Sequence, residues 1–391
     1  PQVALPPLAQ QHRAALAQHA NIRVLTSTRV VGLGARQPTD KASALLLEDA
    51  DQGWTQHSHR IILCTGAREL LLPFPGWTLP GVTGAGALQA LIKAGLDVRG
   101  QRIVIAGTGP LLLAAAATAT QAGATVVRIA EQATWAALAG FAAQLPRWPA
   151  KALQALTLLN TGLRANTHVL EAQGTTQVQS VRLSKGAHAE ETIACDRVAC
   201  GFGLVPNTQL GQLLGCALGG PLSNGQGLAV DAQMRTTVAG VLAAGENTGF
   251  GGSERALLQG AIAGHVAAGH VQQAQALRAQ LARWEGFAQA LQASFVLNEQ
   301  LKALPRPDTL VCRCEDVAYA DLAPRQGWID AKLHTRCGMG ACQGRICGAA
   351  TQHLFGWTPA APRHLLAPAR IATLAACGGP APEDPGAAPP A

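Results

Sequence analysis

Apolar and polar positions along this chain alternate between a helical and an extended period. Leu8 to Ala20 has helix-forming composition, and Ile22-Arg-Val-Leu25 and Thr28-Arg-Val-Val31 after it read as short strands. Ala44 to Glu48 and Arg60 to Cys64 add two more, the second running into the turn Cys64-Thr65-Gly66. Gln101-Arg-Ile-Val-Ile-Ala-Gly107 is a buried-strand run, followed by an Ala-rich helix to Gln121, Gly123 as its C-cap and a second strand from Ala124 to Ala130. Trp135 to Leu159 is apolar and helical, interrupted at Pro146 and Pro149, whereas residues 168–183 and 192–200 have β-like alternation. Thr236 to Ala244 predicts another strand, Glu254 to about Ala268 a helix, and residues 271–303 a Gln/Ala/Leu-rich helical stretch ending at the linker Pro305-Arg-Pro307. Strands that alternate with helices in this way predict an α/β fold with parallel strands.

Composition narrows the picture. With 391 residues there is room for two or three domains, and 48% hydrophobic residues with 43 glycines fits a globular protein with many tight turns. The charge of +7 comes from 30 lysines and arginines that never form a run, and a single tyrosine leaves little for base stacking, so a nucleic-acid role is not expected. No stretch offers 18 uninterrupted apolar residues, so no transmembrane segment is expected either. Residues 378–391 are Pro, Gly and Ala with almost nothing to bury and read as a disordered tail, with Cys377 a bystander at its edge.

Three stretches carry candidate chemistry. The strand ending in Gly107-x-Gly109 opens a helix, a turn tight enough to aim helix amides at a pyrophosphate; Leu112 stands where a third glycine would allow close packing, and Glu131 closes the next strand within reach of a ribose. An NAD(P) or other nucleotide site and a crevice kept for architecture alone both remain open. Ala243-Ala-Gly245-Glu246 ends a strand in small residues, so that backbone and one carboxylate can meet a ligand hydroxyl, and Gly251 and Gly252 then lead into a helix whose N-terminus favours negative charge. Finally, five of the ten cysteines lie between Cys312 and Cys347. Cys312-x-Cys314 followed by C-x4-C lets two loops each supply two sulfurs to a soft metal or iron–sulfur core, and the intervening glycines can turn amides toward sulfur. Cys337-x4-Cys342 and Cys342-x4-Cys347 share one spacing, so either pair completes the four.

The segments CRCED and TRCGMGACQGRIC resemble the C-terminal 2Fe-2S domain related to bacterioferritin-associated ferredoxin, found on large subunits of FAD-dependent amino-acid, opine and glycine-oxidising dehydrogenases. PFPGWTLPGV from Pro73 to Val82, the Cys64-Thr65-Gly66 turn, Gly201-Phe-Gly-Leu-Val-Pro-Asn207 and Ala244-Gly245-Glu246 are similar to further segments of the same group, with Cys64 replacing Ala and Glu246 replacing the usual Asp. The resemblance implies Cys312, Cys314, Cys342 and Cys347 as cluster ligands and Thr65, Gly66, Gly245, Glu246, Gly251 and Gly252 as flavin-binding. Gly107 and Gly109 belong to the second nucleotide-binding fold. The loop between the cysteine pairs is shorter than in many relatives.

The fold implied is a two-dinucleotide-binding-domain flavoprotein. A discontinuous FAD-binding domain would span 1–75 and 205–300, an inserted Rossmann-like domain 76–204 and a small helical 2Fe-2S domain 305–360. The first βαβ unit of the FAD domain, with its Gly-rich turn, does not occur in the sequence, so a truncated gene product or fragment with weak FAD affinity is expected. The resemblance implies cofactors FAD and a 2Fe-2S cluster, a partner flavoprotein subunit that oxidises the amine, and a quinone or similar acceptor. No residue of this chain is expected to oxidise the amine. A cytoplasmic location is expected, with association at the inner membrane face as a further expectation. The rivals are an NAD(P)H-dependent flavin reductase and a zinc-stabilised scaffold.

Overall fold

A computed structural model describes residues 7–35, 44–158, 162–186, 189–222 and 225–375. Its centre is a five-stranded parallel sheet in the order Val82–Gly84, Arg197–Gly201, Arg102–Gly107, Thr125–Glu131, Leu163–Arg164. Ile103, Val104, Ile105 and Ala106 are all fully buried, which is why this strand reads as an unbroken apolar run. Helices Ala85–Lys93 and Leu111–Gln121 cover one face, and their small residues Ala115, Ala116 and Ala119 allow close approach to the sheet. Leu112 is buried against Gly201 of the neighbouring strand, where a Cβ would stand 3.1 Å from its Cδ2, so the small residue has moved from helix to sheet. On the other face the antiparallel sheet Thr167–Gln173, Ser180–Lys185, Ala189–Ala194 packs through Val169, Val181 and Leu183.

The second unit is built on the parallel pair Ile61–Leu63 and Val241–Ala243. Around it lie the antiparallel sheet Arg29–Leu33, Leu45–Glu48, Gly53–Gln56, the hairpin Leu218–Leu222 and Gly225–Leu228, and helices Ser253–Ala267 and Arg278–Ser294. Two chain crossings join the units, and they pair with each other: Ala67–Glu69 runs antiparallel to Leu204–Pro206. The result is a two-domain α/β fold with parallel sheets.

The expected elements form with few exceptions. Ile22–Leu25 is not a strand: Ile22, Val24 and Leu25 are exposed, and a strand persists only where a neighbouring ladder satisfies its amides. The strand Gly53–Gln56 was not legible, because only its two central residues are buried. The expected Leu8–Ala20 helix is Pro7–Ala17, and the helix expected from Glu254 to about Ala268 is Ser253–Ala267, with Gly252 in the cap position.

Residues 310–357 form a small unit: strands Leu310–Cys312 and Val317–Ala318, and helices Tyr319–Leu322, Trp328–Thr335 and Cys347–Phe355, packed around Trp328, Leu322 and Val311. The stretch after it returns to the antiparallel sheet of the second unit. His364 Nε2 meets the Leu33 carbonyl at 2.9 Å, the Leu366 amide donates to Val31, and helix Ile371–Ala375 sets Thr373 against Gly53 and the buried Glu48 carboxylate. Cys377 and the expected tail at 378–391 lie outside the described residues.

Candidate functional site

Parallel pairing of Ile61–Leu63 with Val241–Ala243 puts the turns that follow them side by side at the strands' C-terminal ends, where open α/β sheets bind ligands. Asn247 locks the two turns together, its buried amide donating to the Leu63 carbonyl at 2.9 Å. Gln259, fully buried on the Ser253–Ala267 helix, accepts from the Gly245 amide at 2.9 Å and from Thr248 Oγ1 at 3.0 Å. Thr65 Oγ1 donates to the Asn207 carbonyl at 2.6 Å, and Asn207 answers by donating from its side chain to the Thr65 carbonyl at 3.0 Å and from its amide to Gly66. The expected residues Thr65, Gly66, Gly245 and Glu246 therefore converge, and Asn207, Asn247 and Gln259 are the fixings that sequence reading passed over. Only Asn207 had a signal, as the last residue of the Gly201–Asn207 crossing.

These residues fit the isoalloxazine and ribityl end of a flavin. Gly66 at φ +67° has nothing within 4 Å of where a Cβ would stand, and Gly245 at φ +85° takes a conformation that favours glycine. Asn247 Oδ1 is buried with no partner among the described residues, and burial raises the Glu246 carboxyl above its ordinary range while Arg255 opposes the shift. Gly252 (φ +88°) opens the helix, whereas Gly251 has a packing reason of its own, since a Cβ there would meet Ala288 at 2.7 Å.

The Gly107-x-Gly109 turn is differently placed. Glu131 does not face outward toward a ribose: it is 3% exposed, its Oε2 accepts the Gly109 amide at 2.7 Å and its Oε1 the Ala133 amide at 2.9 Å. Burial raises its pKa, and those amides oppose the rise. The Phe295 ring stands 3.8 Å from the Cβ position of Gly109. Gln132 clamps the same segment, donating to the Val296 carbonyl at 3.0 Å and accepting from the Asn298 amide at 2.9 Å. The chain's own residues 295–298 thus lie against the end of the strand pair.

In the small unit three of the five cysteines converge, and the other two join them in sequence through Cys342. The sulfurs of Cys312, Cys337 and Cys347 lie within 4.8 Å of one another and are buried. Cys342 contacts Cys347 and Cys314, closing a chain of thiols in which Cys314 is exposed. Cys312 is pulled far below the usual thiol range by the thiols of Cys337 and Cys347 and the amides of Gly338 and Glu315, against the effect of burial. Cys342 is lowered to about 5 by the Cys347 thiol, then the amide of Ile346, the Cys314 thiol and the amide of Gly344, with burial again opposing. Cys337 is raised to about 12, first by Cys312. Gly340 is needed because a Cβ there would stand 2.3 Å from Cys314 Cβ, and Gly338 and Gly344, at φ +80° and +75°, both lie on the Trp328 ring. An all-thiol donor set with amides turned to sulfur fits a soft metal or an iron–sulfur centre.

This unit is docked on the crossings. Trp77 of the PFPGW segment is buried and donates from Nε1 to the Leu310 carbonyl at 2.7 Å, while Arg313 stacks over its ring at 5.2 Å. Arg68, two residues after the Gly66 turn, donates to the Arg345 carbonyl inside the cysteine loop at 2.8 Å.

Residues 4–278 match the family model for pyridine nucleotide-disulphide oxidoreductases. The chain belongs to the pyridine nucleotide-disulphide oxidoreductase family. This oxidoreductase family is FAD-dependent, in agreement with the open turn at Gly66. Hydrogen cyanide synthase subunit HcnB of Pseudomonas protegens is 31% identical over 355 residues, covering 83% of this chain and 74% of that relative. An opine oxidase subunit from Rhizobium meliloti is 31% identical over 338 residues, covering 78% of this chain and 73% of that relative. Among solved structures, L-proline dehydrogenase from P. horikoshii superposes on this oxidoreductase with a TM-score of 0.63 at 16% identity, a likeness of fold, covering 91% of this chain and 66% of that one. No helix of the described residues is long and apolar enough to cross a membrane.

Proposed function

We propose that this chain is the electron-handling subunit of a heteromeric dehydrogenase acting on the C–N bond of an amino acid or opine. In this reading a smaller flavoprotein subunit carries the amine-oxidising site, and a quinone or similar acceptor takes the electrons. Its two 31%-identical relatives bear subunit names of a hydrogen cyanide synthase and an opine oxidase, which supports the assembly class. The observation that carries the reading is the docking of a five-thiol loop onto the crossing beside the flavin turns, through Trp77–Leu310 and Arg68–Arg345.

Together a flavin and a 2Fe-2S cluster would supply the change from two-electron to one-electron transfer. Thr65, Gly66, Gly245 and Glu246 would hold the flavin, with Gly252 at the helix entrance beside it. Cys312, Cys314, Cys342 and Cys347 would hold the cluster in a bacterioferritin-associated-ferredoxin-like domain at 305–360, with the buried Cys337 sulfur within 4.8 Å of those of Cys312 and Cys347. The FAD domain would comprise 1–75 and 205–300, and the second Rossmann-like domain 76–204. Amides of Gly338, Glu315, Gly344 and Ile346 offset the negative charge on sulfur, and the crossing holds the loop in register.

The test is iron and acid-labile sulfide in anaerobically purified protein. Two of each per chain with a brown colour is expected; a colourless protein with zinc would overturn the reading. Serine substitution of each cysteine should empty the centre for Cys312, Cys314, Cys342 and Cys347, and leave it filled for Cys337.

A further inference from the structure

The geometry points to Arg68 as a positioning residue that holds the cysteine loop against the flavin turn and places a fixed positive charge between them. The proposal rests on the reading above and adds the residue that couples its two halves. Arg68 lies two residues beyond Gly66, at the centre of the strand Ala67–Glu69 that pairs with Leu204–Pro206. Its guanidinium reaches three backbone and side-chain groups at once. Nε donates to the Arg345 carbonyl at 2.8 Å, and Nη1 donates to Asn207 Oδ1 at 3.0 Å and to the Pro206 carbonyl at 3.3 Å.

Each end of this bridge continues. Toward the flavin side, Asn207 is bonded to Thr65 through both its side chain and its carbonyl, and to Gly66 through its amide. Toward the cysteines, Arg345 donates to the Cys342 carbonyl at 3.3 Å and to the Leu366 carbonyl at 3.0 Å, so the loop is tied at Arg68 on one side and at the chain's return segment on the other. A continuous hydrogen-bonded path therefore runs Thr65, Asn207, Arg68, Arg345, Cys342. Lysine cannot replace this arrangement, because a point ammonium lacks the planar fork that serves two segments simultaneously.

The charge matters as well as the bridge. Burial, then the nearby Arg345 guanidinium, draws Arg68 down to about 10, and the Cys342 charge opposes this, so Arg68 remains a cation at neutral pH, bonded to the backbone of the cysteine loop. A cation there stabilises any centre that gains negative charge on reduction.

The experiment uses the complete protein with its partner subunit, as wild type, Arg68→Lys and Arg68→Gln. Hydrogen exchange of the amides at 342–347 should be about tenfold faster in both variants, as expected on losing a charge-assisted bond. This readout does not need a bound cofactor. Iron, sulfide and flavin are quantified alongside, then the midpoint potential of the iron–sulfur signal is titrated by electron paramagnetic resonance. The potential should fall in Arg68→Gln and stay near the wild-type value in Arg68→Lys, a separation that a purely structural role would not produce. Unchanged exchange in both variants overturns the bridge, and equal potentials in wild type and Arg68→Gln overturn the charge. Wild-type protein without iron and sulfide sinks the electron-relay reading instead, with the exchange result still deciding the bridge.

Discussion

The indole Nε1 of Trp77 donates to the carbonyl of Leu310 at 2.7 Å, joining positions 233 residues apart. Trp77 lies in the proline-rich PFPGW segment, and Leu310 opens the strand that delivers Cys312, so one hydrogen bond sets where the first cysteine pair starts. Gly76 is fixed from behind, since a Cβ there would run into the Ala172 carbonyl, which leaves the indole little freedom to move away.

Replacing Trp77 with alanine should cost about 3–5 kcal/mol, the range for emptying a large aromatic site. Phenylalanine should cost less, about 1–3 kcal/mol for leaving the half-buried Leu310 carbonyl without its donor. Denaturant titration followed by proteolysis should place the damage at residues 310–357, with the parallel sheet unaffected.

Acid should release the C-terminal segment before the rest. Glu48 is lowered from 4.5 to about 2, first by the Thr373 hydroxyl, then by Arg29 and the Arg370 amide. A carboxyl depressed on folding contributes stability that is complete above its unfolded pKa and lost as pH falls toward its folded value. Protection of residues 364–375 should therefore decline between about pH 5 and pH 2. Glu48→Gln should show reduced protection already at neutral pH and a flatter pH profile, read by hydrogen exchange.

The GxG crevice should bind nicotinamide nucleotides poorly. Gly109's amide is taken by Glu131, and Phe295 stands over the turn. NADH added anaerobically should leave the protein's flavin oxidised, as read by stopped-flow absorbance. Phe295→Ala should tighten nucleotide binding in calorimetry; tight binding by the wild type would count against the closure and favour a reductase.

Gly340→Ala should disorganise the thiol loop while sparing the fold. The added methyl would have to occupy the space of Cys314 Cβ, 2.3 Å away, with Glu315 Oε1 at 3.0 Å. Iron per chain should drop well below that of wild type, with the thermal transition of the main body unchanged. Retention of full iron would mean that Cys314 is not held by this loop.

Much of the chain could be read from the sequence alone. Apolar runs fixed the parallel strands, because a strand buried on both faces has no polar positions to show, and Gly107-x-Gly109 and Cys64-Thr65-Gly66 marked where two of those strands end. Cysteine spacing marked Cys312–Cys347 as a thiol-rich stretch but left open which pair completes the four; in the fold the sulfurs of Cys312, Cys337 and Cys347 lie within 4.8 Å of one another, and Cys342 contacts Cys347 and Cys314. Those are local signals, carried by neighbours in the chain.

Tertiary structure decided the rest. Spacing made Cys337 and Cys347 equal candidates; the fold sets both beside Cys312, with helix Trp328–Thr335 ending in a left-handed Arg336 just before Cys337. Glu131 faces inward to amides, Ile22–Leu25 finds no ladder to join, and Arg68 meets Arg345 across 277 residues. In each case the deciding partner is distant in the chain, and a residue's own pattern records its burial but not who buries it.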